Sequence, residues 1–332
     1  MSAPKTDHGP RAQALWITGP RQTALRDVAW HLPGGDLEIT TLYTGISRGT
    51  ERLVFEGRVP AGEHATMRAP FQEGEFTFPV KYGYAAVGRV GNTDRAGETV
   101  FALFPHQTRF AVPPAAAVVV PPDVPAARAV LAANMETALN IVWDARVQPG
   151  DRVAVVGCGV VGALAGYLAA RIPGTTVCLI DIDPSRAALA HALGCGFATP
   201  DEASDQLGGD ADVVIHASAT PAGLATAIGL AGLEATVVEA SWYGTGLTEA
   251  PLGGRFHQRR LALIASQVGR IPASHAARWS YLRRVQMALA LLVDPTLDAL
   301  ISGETPFAQL ATDYAAILDD PATLCHRVRF GG

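Results

Sequence analysis

Along the first third of the chain, apolar residues come in short runs broken by glycine, proline and polar turns. Examples are LEITTLYTGIS (37–47), YAAVGRVG (84–91) and ETVFALF (98–104). Runs of that length and punctuation predict β-strands, so Ala12 to about Val120 reads as a β-rich domain, closed by a proline cluster, Pro113 to Pro125, that serves as a candidate linker. Residues 126–148 then carry apolar positions at helical spacing up to the turn QPGD (148–151). Beyond it the texture changes. DRVAVVG, TTVCLIDID, ADVVIHASA (211–219) and ATVVEASWYG (235–244) are strand-like, and VVGALAGYLAARI, SRAALAHALG and PAGLATAIGLA between them are helical. Strands alternating with helices of this length predict parallel βαβ units with right-handed crossovers. An amphipathic helix over Trp279 to Leu292 and the segment ETPFAQLATDYAAILDDP follow, and this tail is expected to return to the first domain.

Composition narrows the class. A chain of 332 residues exceeds one compact core and suits two domains. A formal charge of −5 leaves no basic footprint for nucleic acid or an anionic membrane surface. No apolar run approaches the ~18 residues of a membrane span; the longest, Ala111 to Val120, is cut by Pro113 and Pro114. The N-terminal stretch MSAPKTDHGPRAQALW lacks a signal-like apolar core. Cys158, Cys178, Cys195 and Cys325 are scattered without a C-x-x-C pair, so free thiols and a cytoplasmic location are expected.

The strongest chemical signal is Gly157-Cys158-Gly159-Val160-Val161-Gly162, directly after the strand VAVV and opening a helix. In that context Gly157 makes the tight turn, Gly159 lets the backbone approach a pyrophosphate and Gly162 lets helix and strand pack closely. The helix N-terminus adds free N–H groups and partial positive charge. Asp181 ends the next strand, 19 residues after Gly162, where a carboxylate accepts ribose hydroxyls and repels a 2′-phosphate. NAD is therefore expected over NADP, with Arg186 as a second group within reach of the adenosine ribose. The plainer alternative is a tight βα turn that binds nothing.

The order of a β-rich front domain, a Rossmann unit near residue 150 and a returning tail resembles the medium-chain dehydrogenase/reductase family over nearly the whole chain. TGISRGTE (44–51) resembles the loop carrying the first zinc cysteine, KYGYAAVGRV (81–90) the G-H-E-x-x-G-x-V segment, and TALNIVWDARVQPGDRVAVVG (137–157) the approach to the first Rossmann strand. LALIASQVG (261–269) resembles the last Rossmann strand, which in this family often pairs across a dimer. The resemblance implies an α/β fold, a doubly wound Rossmann sheet plus a GroES-like catalytic domain, with domains at 1–122 (joined by 271–332) and 123–270. It also shows departures. Ser47 stands at the zinc cysteine position, Tyr84 and Ala85 at the histidine and glutamate, and the third ligand position falls near Ala133. Tetrahedral zinc needs Cys, His, Asp or Glu donors, so no metal is expected there. A relocated site using Glu51, His64, His106 or Glu136 is the alternative. The S-R-G-T-E loop is similar to that of bacteriochlorophyllide-type dehydrogenases, a zinc-less branch.

Without zinc, an oxyanion forming on the substrate needs a hydrogen-bond donor or general acid. Tyr84 is the first candidate, because the resemblance puts it where a zinc ligand faces the substrate; filling the vacated cavity is the bland alternative. His106, in FPHQTRF, is the second. Glu136, inside an apolar helix start, is the third, as a base if burial raises its pKa. By resemblance Arg48 contacts the pyrophosphate and Thr137 lies near the nicotinamide; Ser218 and Trp242, after later Rossmann strands, complete the cofactor-side set. Arg52, Arg58, Arg68 and Lys81 imply an anionic substrate if they point inward, and a solvated surface otherwise. The expected protein is an NAD(H)-dependent, zinc-independent oxidoreductase, a homodimer acting on an alcohol/carbonyl pair of a small polar substrate. The rivals are an NADPH-dependent quinone or enone reductase and a non-catalytic dinucleotide-binding protein.

Overall fold

The computed structural model describes residues 11–29 and 31–331. The chain divides into two compact units at 131/132 and again at 300/301, where the sequence reading drew its lines at 122/123 and 270/271.

The first unit opens with a hairpin, β1 (Arg11–Gly19) and β2 (Gln22–Ala29), followed by the long strand β3 (Leu37–Ser47) and helix α1 (Arg48–Phe55). Short strands follow: β4 (Glu73–Gly74), β5 (Val80–Lys81), β6 (Ala86–Val90), β7 (Thr99–Ala102), β8 (Arg109–Val112) and β9 (Val118–Val119), then one helical turn, α2 (Ala126–Ala129). The strands form a four-stranded sheet, β2-β1-β5-β4, and a seven-stranded one whose centre is β3. Between β3 and its neighbours lies a core of Leu37, Ile39, Val90, Val100, Phe104, Phe110 and Val112, in which the Phe104 and Phe110 rings stack at 3.9 Å. Burying each aromatic ring is worth about 1.5–3 kcal/mol. The proline cluster does more than link: β9 pairs with β7 and extends the sheet. Proline is compatible with this because β9 is an edge, where one side of the backbone needs no ladder partner.

The second unit starts at α3 (Ala132–Ala145) and then alternates: β10 (Arg152–Val156), α4 (Val160–Ala169), β11 (Thr176–Ile180), α5 (Ala187–Ala192), β12 (Gly196–Ala198), α6 (Pro200–Leu207), β13 (Ala211–His216), α7 (Pro221–Leu230), β14 (Ala231–Glu239), β15 (Ala262–Ala265). The short α8 (Ala273–Ala276) and α9 (Tyr281–Leu291) complete it. All six strands are parallel, in the order β12-β11-β10-β13-β14-β15. Residues 153–156 of β10 are buried, which explains their unbroken apolar run: both faces of a parallel sheet are covered. The pair β12–α6 escaped the hydrophobic pattern because GFA is too short to show a period. The capping box of Thr199 and Glu202 marks the helix start. β14 begins earlier than its apolar run suggested and ends at Glu239, which leaves Ser241, Trp242 and Tyr243 in the loop beyond. The chain then returns to the first unit through β16 (Ile301–Pro306), α10 (Leu310–Asp319) and β17 (Cys325–Arg329), with β17 antiparallel to β3.

Candidate functional site

The sheet of the second unit reverses direction between β10 and β13: the chain runs from β10 to β11 and β12 on one side, then to β13, β14 and β15 on the other. Open α/β sheets bind ligands outside the carboxyl ends of the strands at such a switch point. The glycine turn lies there. Gly157 has φ +106, and a Cβ on it would come within 2.8 Å of the Ser218 nitrogen; one on Gly162 would come within 1.9 Å of the Gly157 oxygen. Gly159, the N-cap of α4, is exposed and would meet nothing within 4 Å, so the surface above it is open to a phosphate. Asp181 accepts from the Cys158 N–H at 2.7 Å and the Asp183 N–H at 3.0 Å, one bond on each oxygen. A carboxylate oxygen has a further lone pair, so Asp181 can still receive ribose hydroxyls. Arg186 reaches Asp183 at 3.6 Å. These residues fit a dinucleotide.

The first unit holds a buried polar cluster where β3 meets α1. Glu51 is fully buried and accepts three bonds: from the Ser47 N–H at 2.8 Å, from the Tyr314 hydroxyl at 2.7 Å, and from His106 Nε2 at 3.0 Å. The other ring nitrogen of His106 meets the Thr44 hydroxyl at 2.6 Å. Burial, then the Glu51 charge, pushes the Tyr314 hydroxyl well above the usual tyrosine range. Half-buried Tyr84 lies beside this cluster, its hydroxyl bonded with Ser47 and Thr50. Burial first and Glu51 second push it up to about 12, so the hydroxyl keeps its proton at neutral pH and can donate a hydrogen bond. Cys325 pairs in register with Ser47. Burial holds its thiol at about 12, far from the thiolate that zinc requires.

Zinc does not fit this donor set. Ser47 and Tyr84 offer only hydroxyls, while Glu51 and His106 are bonded to each other. Among the described residues, no group of three or more His, Cys, Asp or Glu could hold a metal ion. His64 bonds the Val59 carbonyl at 3.2 Å.

Glu136 proves to be an ion-pair partner. It meets Arg284 Nε at 2.9 Å, and the guanidinium also bonds Asn140 and the Val268 carbonyl. Burial raises its pKa, opposed by Arg284. Thr137 bonds back to the Ala133 carbonyl of its own helix, and Arg48 donates to the Leu318 carbonyl. Arg52 and Arg58 both meet Glu56, Arg68 meets Glu75, and buried Lys81 meets Glu73 and Gln107. Each of these cations thus has an internal partner, which weakens the case for an anion-binding patch. Trp242 is half-buried in the loop after β14.

Sequence reasoning missed His216 and Glu239, the last residues of β13 and β14, bonded at 2.7 Å. It gave Glu51 only a metal role and overlooked Tyr314. An ionisable residue closing an otherwise apolar parallel strand is the signal that could have found the first pair.

No family model and no curated protein matches the chain. Solved structures do. An L-idonate 5-dehydrogenase from Escherichia coli K-12 superposes with a TM-score of 0.78 at 16% identity, covering 97% of this chain and 99% of its own. A protein from Sinorhizobium meliloti 1021 assigned to the zinc-binding dehydrogenases and bound to NADP gives 0.76 at 19% identity, covering 97% and 100%. A structure from Escherichia coli CFT073, described as a short chain alcohol dehydrogenase in complex with NADH, gives 0.77 at 17% identity over the same shares. With a GroES-like β-rich unit and a Rossmann unit in this order, the chain has the fold of the medium-chain dehydrogenases.

Proposed function

We propose that the chain is an NAD(H)-dependent oxidoreductase that interconverts an alcohol and a carbonyl on a small polar substrate without a catalytic zinc. The observation that carries this is the open glycine turn with Asp181 beside it. When bound, the dinucleotide would supply the hydride acceptor or donor, and the chain supplies orientation and a hydrogen bond to the substrate oxygen, with the proton taken from solvent in reduction and released to it in oxidation. The Cys158–Val161 backbone and the α4 N-terminus hold the pyrophosphate. Asp181 takes a ribose hydroxyl and disfavours a 2′-phosphate. Tyr84, protonated at neutral pH, donates to the substrate oxygen. His106, 1% exposed and bonded at both nitrogens, is a positioning residue that fixes Glu51, whose charge acts on Tyr84.

A cytoplasmic homodimer is part of the proposal. Its support is β15, an edge strand whose four residues are exposed, Leu263 and Ile264 among them; an uncovered apolar edge favours pairing with a second chain. No helix among the described residues is long and apolar enough to cross a membrane.

The test is a side-by-side fluorescence titration with NADH and NADPH on metal-analysed protein, followed by turnover over alcohols and aldehydes. NADH preference without stoichiometric zinc is expected. NADPH preference would overturn the Asp181 assignment, bound zinc the metal-free mechanism, and binding without turnover the enzymatic reading.

A further inference from the structure

The carboxyl ends of β13 and β14 carry a second hydrogen-bonded chain of groups. His216 and Glu239 are register partners across the two strands, which places imidazole Nδ1 2.7 Å from Glu239 Oε2. Imidazole Nε2 lies 2.7 Å from Ser218 Oγ, and Ser218 Oγ lies 3.0 Å from Thr220 Oγ1. Glu239 is held in turn by the Ser241 N–H at 2.8 Å and the Tyr243 hydroxyl at 3.1 Å. His216 is fully buried, Ser218 is half-buried and Thr220 is exposed. Two glycines make room for Ser218: a Cβ on Gly157 would meet its nitrogen at 2.8 Å, and one on Gly223, in the first turn of α7, its Oγ at 2.1 Å. Ser218 therefore sits against the nucleotide turn itself.

The polarity of this chain of bonds follows from chemistry. An ionised carboxylate only accepts, so the Glu239 bond places the imidazole proton on Nδ1. Nε2 of the neutral ring is then an acceptor, and the Ser218 proton points at it. Ser218 must then accept from the Thr220 hydroxyl, whose own oxygen accepts from the Gly223 N–H, and one lone pair is left on the Ser218 oxygen for a ligand. A hydroxyl so arranged welcomes a hydrogen-bond donor and rejects a phosphate oxygen.

We propose that Ser218, oriented by His216 and Glu239, is a specificity-determining residue that accepts a hydrogen bond from the nicotinamide-side ribose of the bound dinucleotide. This rests on the reading that the chain binds a nicotinamide dinucleotide. The assignment to that ribose follows from strand order. Asp181 follows directly after β11 on one side of the switch point and takes the adenosine half, so the other half extends over β13 and β14. Replacing His216 or Glu239 frees the Ser218 proton to turn outward and weakens the selection without removing the hydroxyl.

The test compares dissociation constants of NADH and of two analogues lacking the 2′-hydroxyl on one ribose or the other, for the wild type, S218A, E239Q and D181N. The wild type is expected to lose about tenfold in affinity for either analogue, the worth of one hydrogen bond. S218A should bind NADH about tenfold more weakly, show no further loss for the nicotinamide-side analogue and discriminate normally against the adenosine-side one. D181N should show the reverse. E239Q, which keeps the serine, should reduce nicotinamide-side discrimination to about threefold, and it decides the matter should S218A fail to fold. Wild-type discrimination retained in both S218A and E239Q would overturn the proposal, as would a loss uniform across all ligands, the mark of a merely structural role. Failure of the wild type to bind either dinucleotide would instead sink the oxidoreductase reading.

Discussion

Each unit buries one histidine against one glutamate, and the two glutamates are satisfied by the same kinds of donor: a nearby backbone N–H, a tyrosine hydroxyl and the imidazole. They differ in where the other ring nitrogen leads. In the first unit it ends on Thr44, which is fully buried in β3. In the second it leads through Ser218 to exposed Thr220. Glu51 is inaccessible while the Glu239 side chain keeps 17% of its exposure. Identical side-chain chemistry therefore yields a sealed anchor in one place and a chain of bonds that ends on an exposed hydroxyl in the other.

The largest effect should come from opening the sealed pair. E51A strips three buried donors of their acceptor and should cost about 3–5 kcal/mol, read as a large fall in the denaturation midpoint of the first unit. A cost below ~1 kcal/mol would mean that the cluster is hydrated. Next, Y84F should lower turnover about a hundredfold, within the span of a general acid or oxyanion donor, with NADH affinity unchanged. Unchanged turnover would reduce Tyr84 to a cavity filler. In the outlet pair, E239Q should destabilise the second unit by only about 1–2 kcal/mol, because its site is partly wet.

The smallest effect concerns pH. Burial raises the Glu239 carboxyl, but its bonds to His216 and to Ser241 outweigh burial and leave it below the usual glutamate value. A lowered carboxylate pKa contributes stability above the unfolded-state value and loses it as pH falls through the folded one. The acid limb of second-unit stability should therefore flatten in E239Q. At the alkaline end, Tyr84 stays protonated to about 12 while an unfolded tyrosine ionises near 10. Its contribution is complete below pH 10 and is lost as pH rises towards 12. Y84F should remove that slope from the first unit, and alkaline melts of both proteins would check it.

The glycine turn was legible because its parts are local. Gly157, Gly159, Gly162 and Asp181 lie in one βαβ unit, and a strand, a turn and a helix N-terminus suffice to give each its role. The same locality exposed the zinc-position departures at Ser47 and Tyr84. Glu136 shows the limit of locality, because an acid in an apolar helix looks reactive until its partner is known; Arg284 lies 148 residues away. The arginines of the front domain left two readings open for the same reason, since their acidic partners are fixed by the fold.

By itself the amino-acid sequence determined most of the strands and helices, that one sheet is parallel, and where a glycine turn opens a helix. Periodicity and glycine placement act within a few residues, so a linear reading captures them. Only the tertiary structure decided that Glu51 meets His106 and Tyr314, which are 55 and 263 residues distant. It alone set the register that brings His216 opposite Glu239. Such pairs form because backbone hydrogen bonding fixes sheet register, and each buried carboxylate must then find its donors among whatever side chains that register delivers.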